Sequence, residues 1–377
     1  MPLSTDLYLP ALPGMGAQFN ATPDRINLTL TAFMIFYAIG TLVWGPLSDH
    51  FGRKPILIAG LSLYVVSSAL CAFTWNVEGL ILSRIFQALG GSAAGVVATA
   101  IVKDVYSGRK RGSVLAIVQS MVLISPAIAP VIGALLLKFI SWRGVFWSLT
   151  GIGVVALAGS FLFTETISER TTEMLLPSLG RLGKVLQNRG FTLLLLLFSL
   201  GAVSTFAFIA SSTYIYQNDF NLSGQVYSFY FSVNALGMIA GPMIFLWFLQ
   251  RVHTEKIILG CYVATLISGL LVYFLGSREP WVFALCILPA SIAGSCLRPG
   301  SANMMLEQQK GDTGSVSSLM GCTGLLMGAL GLQVISMPWS STILALGVMT
   351  FSTAAISLLA WPFVIKRVVR LSGPNSQ

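Results

Sequence analysis

Apolar stretches of about twenty residues recur along nearly the whole chain, and each is long enough for one helix to cross a hydrocarbon core about 30 Å thick. Hydrophobic residues make up 55% of the 377 residues and charged residues only 9%, which excludes a soluble globular enzyme, a disordered chain and a disulfide scaffold. We predict an all-α polytopic membrane protein. Its eleven complete spans are residues 26–48, 55–75, 79–101, 113–137, 144–164, 190–212, 224–249, 256–276, 281–305, 314–336 and 341–365.

Basic residues are distributed unevenly between the loops. Sixteen of the 22 lysines and arginines fall in one alternating set of loops, four fall in the opposite set, and Arg84 and Arg298 lie within spans. The positive-inside rule makes the first set cytoplasmic, which puts the 14–25 loop outside and the C-terminus in the cytoplasm. Topology therefore explains the net charge of +9, and we expect a lipid bilayer, not nucleic acid, as the partner.

The longest polar interruption divides the chain into two halves. We predict an N-terminal bundle over 1–164 with five complete spans, a cytoplasmic connector over 165–189, a C-terminal bundle of six spans over 190–365 and a cytoplasmic tail over 366–377. Residues 1–13 have the character of the end of a further span, so we expect 6+6 helix bundles whose first helix is truncated at the N-terminus. Leucines at helical spacing in the connector fit either an interfacial helix or an ordinary linker.

Ionisable residues inside apolar segments are the first functional candidates, because an unpaired charge in the bilayer costs several kcal/mol. Asp6 lies in the N-terminal remnant, where a low dielectric favours a protonated carboxyl; its alternative role is a cap at an interface. Arg84, with Gln87 on the same helix face, must face a cavity or an acidic partner. We predict that Asp6 and Arg84 form the proton-coupling pair. Arg298, near the inner end of its span, is expected to extend to the headgroups.

The cytoplasmic turn between the first two complete spans reads GPLSDHFGRKPIL, beginning at Gly45. Gly52 permits a tight turn, and Asp49 at a helix end can accept hydrogen bonds from backbone amides or an arginine. Arg53 and Lys54 hold the turn on the inside of the membrane. We predict that this turn acts as a conformational loop.

Helix-breaking residues cluster in the span 113–137. Pro126 and Pro130 each remove a backbone hydrogen bond, while Gly133 and its small neighbours allow another helix to pack closely.

Uncharged polar residues within the spans are candidates for a substrate cavity, although single ones more often form interhelical hydrogen bonds. The candidates are Gln87, Gln119, Tyr230, Asn234 and Asn303. There is no Walker loop and no HExxH motif, and His50, His253 and five scattered cysteines do not form a metal site. We expect no enzymatic activity, no metal and no cofactor.

Together these motifs resemble those of the major facilitator superfamily. The turn beginning at Gly45 matches the signature G-x-L-a-D-r-x-G-r-k-x-x-l. Arg84 and Gln87 fit the motif R-x-x-q-G-x-g-a-a, in which Ala88 takes the place of the first glycine here. Pro130 and Gly133 match the antiporter motif g-x-x-x-G-P-x-x-G-g, in which alanine and serine replace three glycines here. The opening STDLYLPALP is similar to that of the Bcr/CflA branch of twelve-helix drug/proton antiporters.

The resemblance implies a monomeric secondary transporter whose two bundles rock about a midplane cavity, with the proton gradient as the energy source. It implies multidrug efflux: export of amphipathic small molecules, drugs or metabolites, across a bacterial inner (plasma) membrane. Proton-coupled uptake of a small metabolite and a transport-defective truncated carrier are the alternatives. A membrane receptor or enzyme is disfavoured, because the sequence has no appended sensor domain and no catalytic cluster.

Overall fold

A computed structural model describes residues 2–167, 175–308 and 313–372, and all regular structure within these ranges is helical. Ten of the described helices are long and apolar enough to cross a membrane. The remaining predicted span, 113–137, coincides with one continuous helix, in which the described apolar part is Ile124–Leu136. Many large apolar side chains are exposed, as a lipid-facing surface requires. The prediction of an all-α polytopic membrane protein is confirmed.

The helices are numbered in chain order. The first half contains α1 (Pro2–Asp6), a 3₁₀ turn (Leu9–Ala11), α2 (Leu12–Phe19), α3 (Pro23–Phe51), α4 (Arg53–Phe73), α5 (Val77–Val105), α6 (Gly108–Leu136) and α7 (Trp142–Leu162). The second half contains α8 (Leu175–Gln187), α9 (Arg189–Tyr214), a π-helical turn (Ile215–Asp219), α10 (Gly224–Leu249), α11 (Thr254–Leu275), α12 (Pro280–Glu307), α13 (Thr313–Ile335) and α14 (Thr342–Ser372).

The N-terminal segment differs from the predicted remnant of a single helix over 1–13. It is broken after Asp6, turns through the 3₁₀ segment and is helical again as far as Phe19. Pro10 and Pro13 explain the break, because proline has no backbone N–H and is tolerated only near the start of a helical element, where both residues lie. Asn20, with a φ of +48°, ends α2 in the left-handed conformation typical of a helix C-terminus.

The chain forms two compact units, Met1–Gly180 and Arg181–Gln377, and the boundary falls inside the predicted connector. In the first unit α5 packs against α3 and α4, and α4 packs against α7. In the second unit α12 packs against α10 and α11, and α11 packs against α14. The same order of helix contacts therefore occurs in both units.

The C-terminal part of the connector is helical rather than an irregular linker. In α8, Arg181 and Lys184 are exposed, whereas Val185 is buried in a hydrophobic cluster of the second unit with Phe191. The last helix also extends beyond its predicted end at residue 365, as far as Ser372. The remainder of the predicted tail, 373–377, lies outside the described residues.

Several glycines lie in direct contact with the backbone of a neighbouring segment, and one from each unit forms a matching pair. A Cβ added at Gly133 of α6 would overlap the carbonyl oxygen of Leu7. A Cβ added at Gly331 of α13 would likewise overlap the carbonyl oxygen of Val203 in α9. Such small residues let membrane helices approach closely. The contact between the N-terminal segment and α6 in the first unit therefore corresponds to the contact between α9 and α13 in the second.

We expect Gly133→Ala and Gly331→Ala each to destabilise the protein, because the added methyl group must displace backbone; overpacking of this kind typically costs about 1–3 kcal/mol. The check is a lowered Tm of each purified variant in detergent. Gly151→Ala and Gly324→Ala are the matched controls, since a Cβ at either helical glycine meets nothing within 4 Å. Equal Tm values for the four variants would contradict the close packing.

Candidate functional site

Buried charge is confined to the first unit. Among the described residues, the charged side chains that are buried are those of Asp6, Arg53 and Arg84, with relative exposures of 5%, 7% and 0%. All three lie before the boundary between the units at Gly180. An enclosed charge must be compensated by its surroundings, so the candidate site is described from the groups around these three side chains.

The guanidinium of Arg84, on α5, is enclosed by backbone, amide and aromatic groups. Its Nη1 donates to the carbonyl oxygen of Ser4 at 2.9 Å and to Oε1 of Gln87. Its Cζ lies 4.1 Å from the ring centroid of Phe33 and 4.8 Å from that of Tyr8, distances at which an aromatic face attracts a cation. Its Nε and Nη2 have no hydrogen-bond partner among the described residues. The site therefore holds a cation with donor capacity to spare.

Asp6 lies at the end of α1, close in sequence to the carbonyl that Arg84 contacts. Its Oδ1 accepts a hydrogen bond from Oγ1 of Thr5 at 2.8 Å. The structure does not bring Asp6 and Arg84 into an ion pair, contrary to the direct pairing that the sequence suggested. Because α1 ends at Asp6, its last backbone carbonyls have no partner within the helix, and Arg84 contacts that of Ser4 instead of the Asp6 carboxylate. The proton-coupling role of Asp6 and Arg84 remains a prediction.

A network of uncharged groups extends from Arg84 to neighbouring helices. Nε2 of Gln87 donates to Oγ of Ser68 at 2.8 Å, and Ser68 in turn donates to the carbonyl of Tyr64 on α4. The Tyr64 hydroxyl contacts Oγ of Ser4 at 2.9 Å, which closes a ring of contacts between α1, α4 and α5. Sequence reasoning identified Gln87 but missed Ser4, Ser68 and Tyr64, since isolated hydroxyl groups in apolar helices carry no distinctive pattern.

The predicted loop motif is a compact charged cluster. Gly52 has a φ of +106°, which L-residues with a side chain rarely adopt, and it reverses the chain between α3 and α4. Arg53 then donates through Nη1 to Asp49 at 2.5 Å and to Oγ of Ser48 at 2.6 Å, and through Nε to Oδ2 of Asp104 at 2.9 Å. Asp104 lies at the end of α5, so one side chain ties three helices together.

Glu165 completes this cluster from the residues after α7. Its carboxylate accepts hydrogen bonds from the backbone N–H groups of Arg53 at 3.0 Å and Lys54 at 3.1 Å, where α4 begins. Lys54 Nζ donates to the carbonyl of Phe161 at 2.9 Å. Partial desolvation disfavours the charged carboxylate, but hydrogen bonds from backbone amides outweigh it and lower the pKa of Glu165 below its ordinary value.

Sequence reasoning missed both Asp104 and Glu165. Each is the first acidic residue at a helix end that the charge pattern predicts to be cytoplasmic, and a search for acids at the ends of the other spans would have found them. Gly45, at the start of the motif, lies within α3.

The predicted antiporter-motif residues lie on α6. Pro126 and Pro130 are inside the helix, and Pro130 is buried. Gly133 contacts the Leu7 carbonyl as described, so this helix packs on the N-terminal segment that carries Asp6. The side chain of Gln119, a predicted cavity residue on the same helix, lies outside the described residues.

The cavity candidates of the second unit do not form one group. Tyr230 stacks on Tyr216 with ring centroids 5.1 Å apart, and Asn234 is fully buried. Asn303 is exposed near the end of α12, and its Nδ2 donates to Glu307 at 2.7 Å; its place in a substrate cavity stays a prediction. Arg298, also on α12, is exposed, and its extension to the headgroups stays a prediction. Within the described residues, no three His, Cys, Asp or Glu side chains are grouped as metal ligands.

Comparisons with known proteins agree with this arrangement. The Major Facilitator Superfamily family model matches residues 1–332. A chloramphenicol resistance protein of Pseudomonas aeruginosa is 29% identical over 351 residues, covering 89% of this chain and 81% of that protein. A bicyclomycin resistance protein homolog of Haemophilus influenzae is 25% identical over 381 residues, covering 99% of this chain and 95% of that protein.

Solved structures support the same fold. A D-xylose-proton symporter superposes with a TM-score of 0.75 at 13% identity, covering 97% of this chain and 94% of that chain. The family model accounts for most of the chain, and the resemblance found in the loop and helix motifs is thereby confirmed. The chain belongs to the Major Facilitator Superfamily and is a membrane transporter of small molecules.

Proposed function

We propose that this protein exports amphipathic small molecules, including antibiotics, in exchange for protons. The observation that carries the proposal is the buried guanidinium of Arg84, which has two nitrogens without partners and lies beside the segment that contains Asp6. Two relatives with long alignments are named as resistance proteins for chloramphenicol and bicyclomycin, which supports export of drugs. The proton gradient is the energy source, and no cofactor or catalytic group takes part.

Coupling between the proton and the conformation depends on whether Asp6 interacts with the buried guanidinium of Arg84. When Asp6 is protonated it is neutral, and burial disfavours this form less than it disfavours the carboxylate. When Asp6 ionises, a charge-assisted bond to Nε or Nη2 of Arg84, which have no partner among the described residues, is strongly favoured. Proton loss therefore pulls α1 toward α5, and proton uptake releases it, which biases the conformational balance of the transporter.

The loop cluster around Arg53 acts as a latch in this cycle. Its bonds join α3, the start of α4 and the end of α5, together with Glu165 after α7. Such a charged network has two discrete arrangements, made or broken, rather than a continuous range. We place this latch on the cytoplasmic side of a bacterial inner membrane, with the C-terminus also cytoplasmic and the protein acting as a monomer.

Asp6→Asn is expected to abolish substrate-evoked proton movement, because an amide cannot lose a proton. Everted membrane vesicles would be energised and challenged with chloramphenicol, bicyclomycin and other amphipathic compounds while the internal pH is followed. The wild type should dissipate the pH gradient when substrate is added, and Asp6→Asn should match vesicles that lack the protein.

The control for Asp6 is Asp24→Asn, which neutralises an acid in the first turn of α3 and should leave exchange unchanged. Arg84→Lys keeps the charge but loses the planar donors, and we expect it to retain less than a tenth of the wild-type rate, as losing a charge-assisted contact of about 1.4 kcal/mol or more implies. Normal proton exchange by Asp6→Asn would rule out the coupling mechanism. Proton-coupled movement of substrate into the cell, instead of out of it, would indicate uptake.

Glu165→Gln is expected to lower the Tm at neutral pH, because the neutral amide accepts more weakly from the α4 backbone amides. The pKa of Glu165 is lower in the folded protein than its ordinary value of 4.5, so its stabilisation is present above pH 4.5 and is lost as the pH falls through the folded-state pKa. The Tm difference between wild type and variant should therefore be largest near pH 7 and shrink in acid.

Glu255→Gln, an exposed acid in the first turn of α11, is the control for Glu165 and should give a small difference at every pH. A Tm difference for Glu165→Gln that does not change between neutral and acidic pH would contradict the charged role of this carboxylate.

A further inference from the structure

The second unit contains a small polar cavity that the transport mechanism does not use. Its volume is about 20 Å³. Residues with hydroxyl groups, namely Ser204 and Thr205 on α9, Ser291 on α12 and Thr350 on α14, line it together with apolar residues that include Phe208 and Met238. Among the described residues of this unit, buried polar side chains are hydroxyl groups and the amide of Asn234, with no buried charge. A ligand held here must therefore be neutral and small.

Hydrogen bonding around the cavity is incomplete. Oγ1 of Thr350, a residue only 1% exposed, has no hydrogen-bond partner in the described part of the chain. A buried hydroxyl group that lacks a partner is costly, and native proteins usually satisfy such groups with protein atoms or with ordered water.

The neighbouring polar groups have capacity left as well. Ser291 donates at 3.3 Å to Oδ1 of Asn234 and at 3.3 Å to its own helix, both longer than usual for a hydroxyl donor. The fully buried amide of Asn234 has its donors at 3.4 Å and 3.5 Å from carbonyl oxygens. Ser204 and Thr205 donate to the carbonyl of Gly201, which leaves their lone pairs free to accept.

We propose that this cavity binds one structural water molecule, which bridges α9, α12 and α14. The volume suits a single water, since a cavity of roughly 10–15 Å³ on this measure is the minimum for one. A water molecule both donates and accepts, so it can satisfy Thr350 while accepting from or donating to Ser291 and the α9 hydroxyls. A cation is disfavoured because no carboxylate lines the cavity, and a drug-sized group is too large for it.

The proposal gives Asn234 a different role from direct substrate contact. The carbonyl oxygen of the Asn234 side chain is linked to the water through Ser291. The amide therefore extends the hydrogen-bond network from α9, α12 and α14 to α10. Polar contacts between membrane helices hold their positions relative to one another, and a bridging water extends that link to α14.

Thr350→Val tests the proposal, because valine keeps the shape of threonine but has no hydroxyl. The Tm of purified protein is measured in detergent without any substrate, so the result does not depend on whether the protein transports drugs. If the water is bound, Thr350→Val removes its partner and lowers the Tm, while Thr350→Ser, which retains a hydroxyl, has a Tm closer to that of the wild type than Thr350→Val has.

The matched control is Thr353→Val on the same helix, whose hydroxyl bonds only to carbonyls of α14, at 2.9 Å and 3.2 Å. Its Tm loss should be smaller than that of Thr350→Val. An equal or higher Tm for Thr350→Val than for the wild type would overturn the proposal, because replacing an unpartnered hydroxyl in a dry cavity by a methyl group is neutral or stabilising. An experimental map with an ordered water at Thr350 would support it, and one with none there while other buried waters are resolved would overturn it.

Discussion

The guanidinium of Arg84 is the group around which the first unit is organised. A cation with no exposure inside an apolar helix bundle is stable only if the surroundings replace water. Here they do so with a backbone carbonyl of Ser4, the amide of Gln87 and the faces of Tyr8 and Phe33. These partners come from the N-terminal segment, α3 and α5, so the position of one side chain depends on three elements being in register.

This requirement explains why the N-terminal segment is broken rather than a continuous helix. The break between Asp6 and the 3₁₀ turn places the Ser4 carbonyl against Arg84 and the Leu7 carbonyl against Gly133 of α6. Neither carbonyl would be directed outward in a regular helix, where each is bonded within the helix. Pro10 and Pro13 prevent α1 from continuing through this segment as one regular helix. They therefore support the site although they contribute no functional group to it.

The two units have the same order of helix contacts but different internal chemistry. In the described residues, all the buried charge belongs to the first unit, and the buried polar side chains of the second unit are hydroxyl groups and one amide. A shared helix arrangement therefore does not require shared function. Within the described residues, the first unit has buried charged groups, whereas the second has groups suited to neutral hydrogen bonding and apolar contact.

The amino-acid sequence by itself determined the fold class, the approximate limits of the ten described spans, the charged turn at Gly52 and the presence of a charge at Arg84 within a span. Each of these depends on properties local to the chain: the length of an apolar stretch, the side of the membrane on which basic residues lie, a glycine at a reversal, and the cost of a charge in lipid. Only the tertiary structure decided which side chains meet. It paired Arg84 with Ser4 and Gln87 rather than with Asp6, brought Asp104 and Glu165 to Arg53, and left Asn303 at the surface. An apolar stretch of twenty residues has nearly the same hydropathy at every rotation about its axis, so the facing of one helix toward another is set by packing between helices distant in sequence.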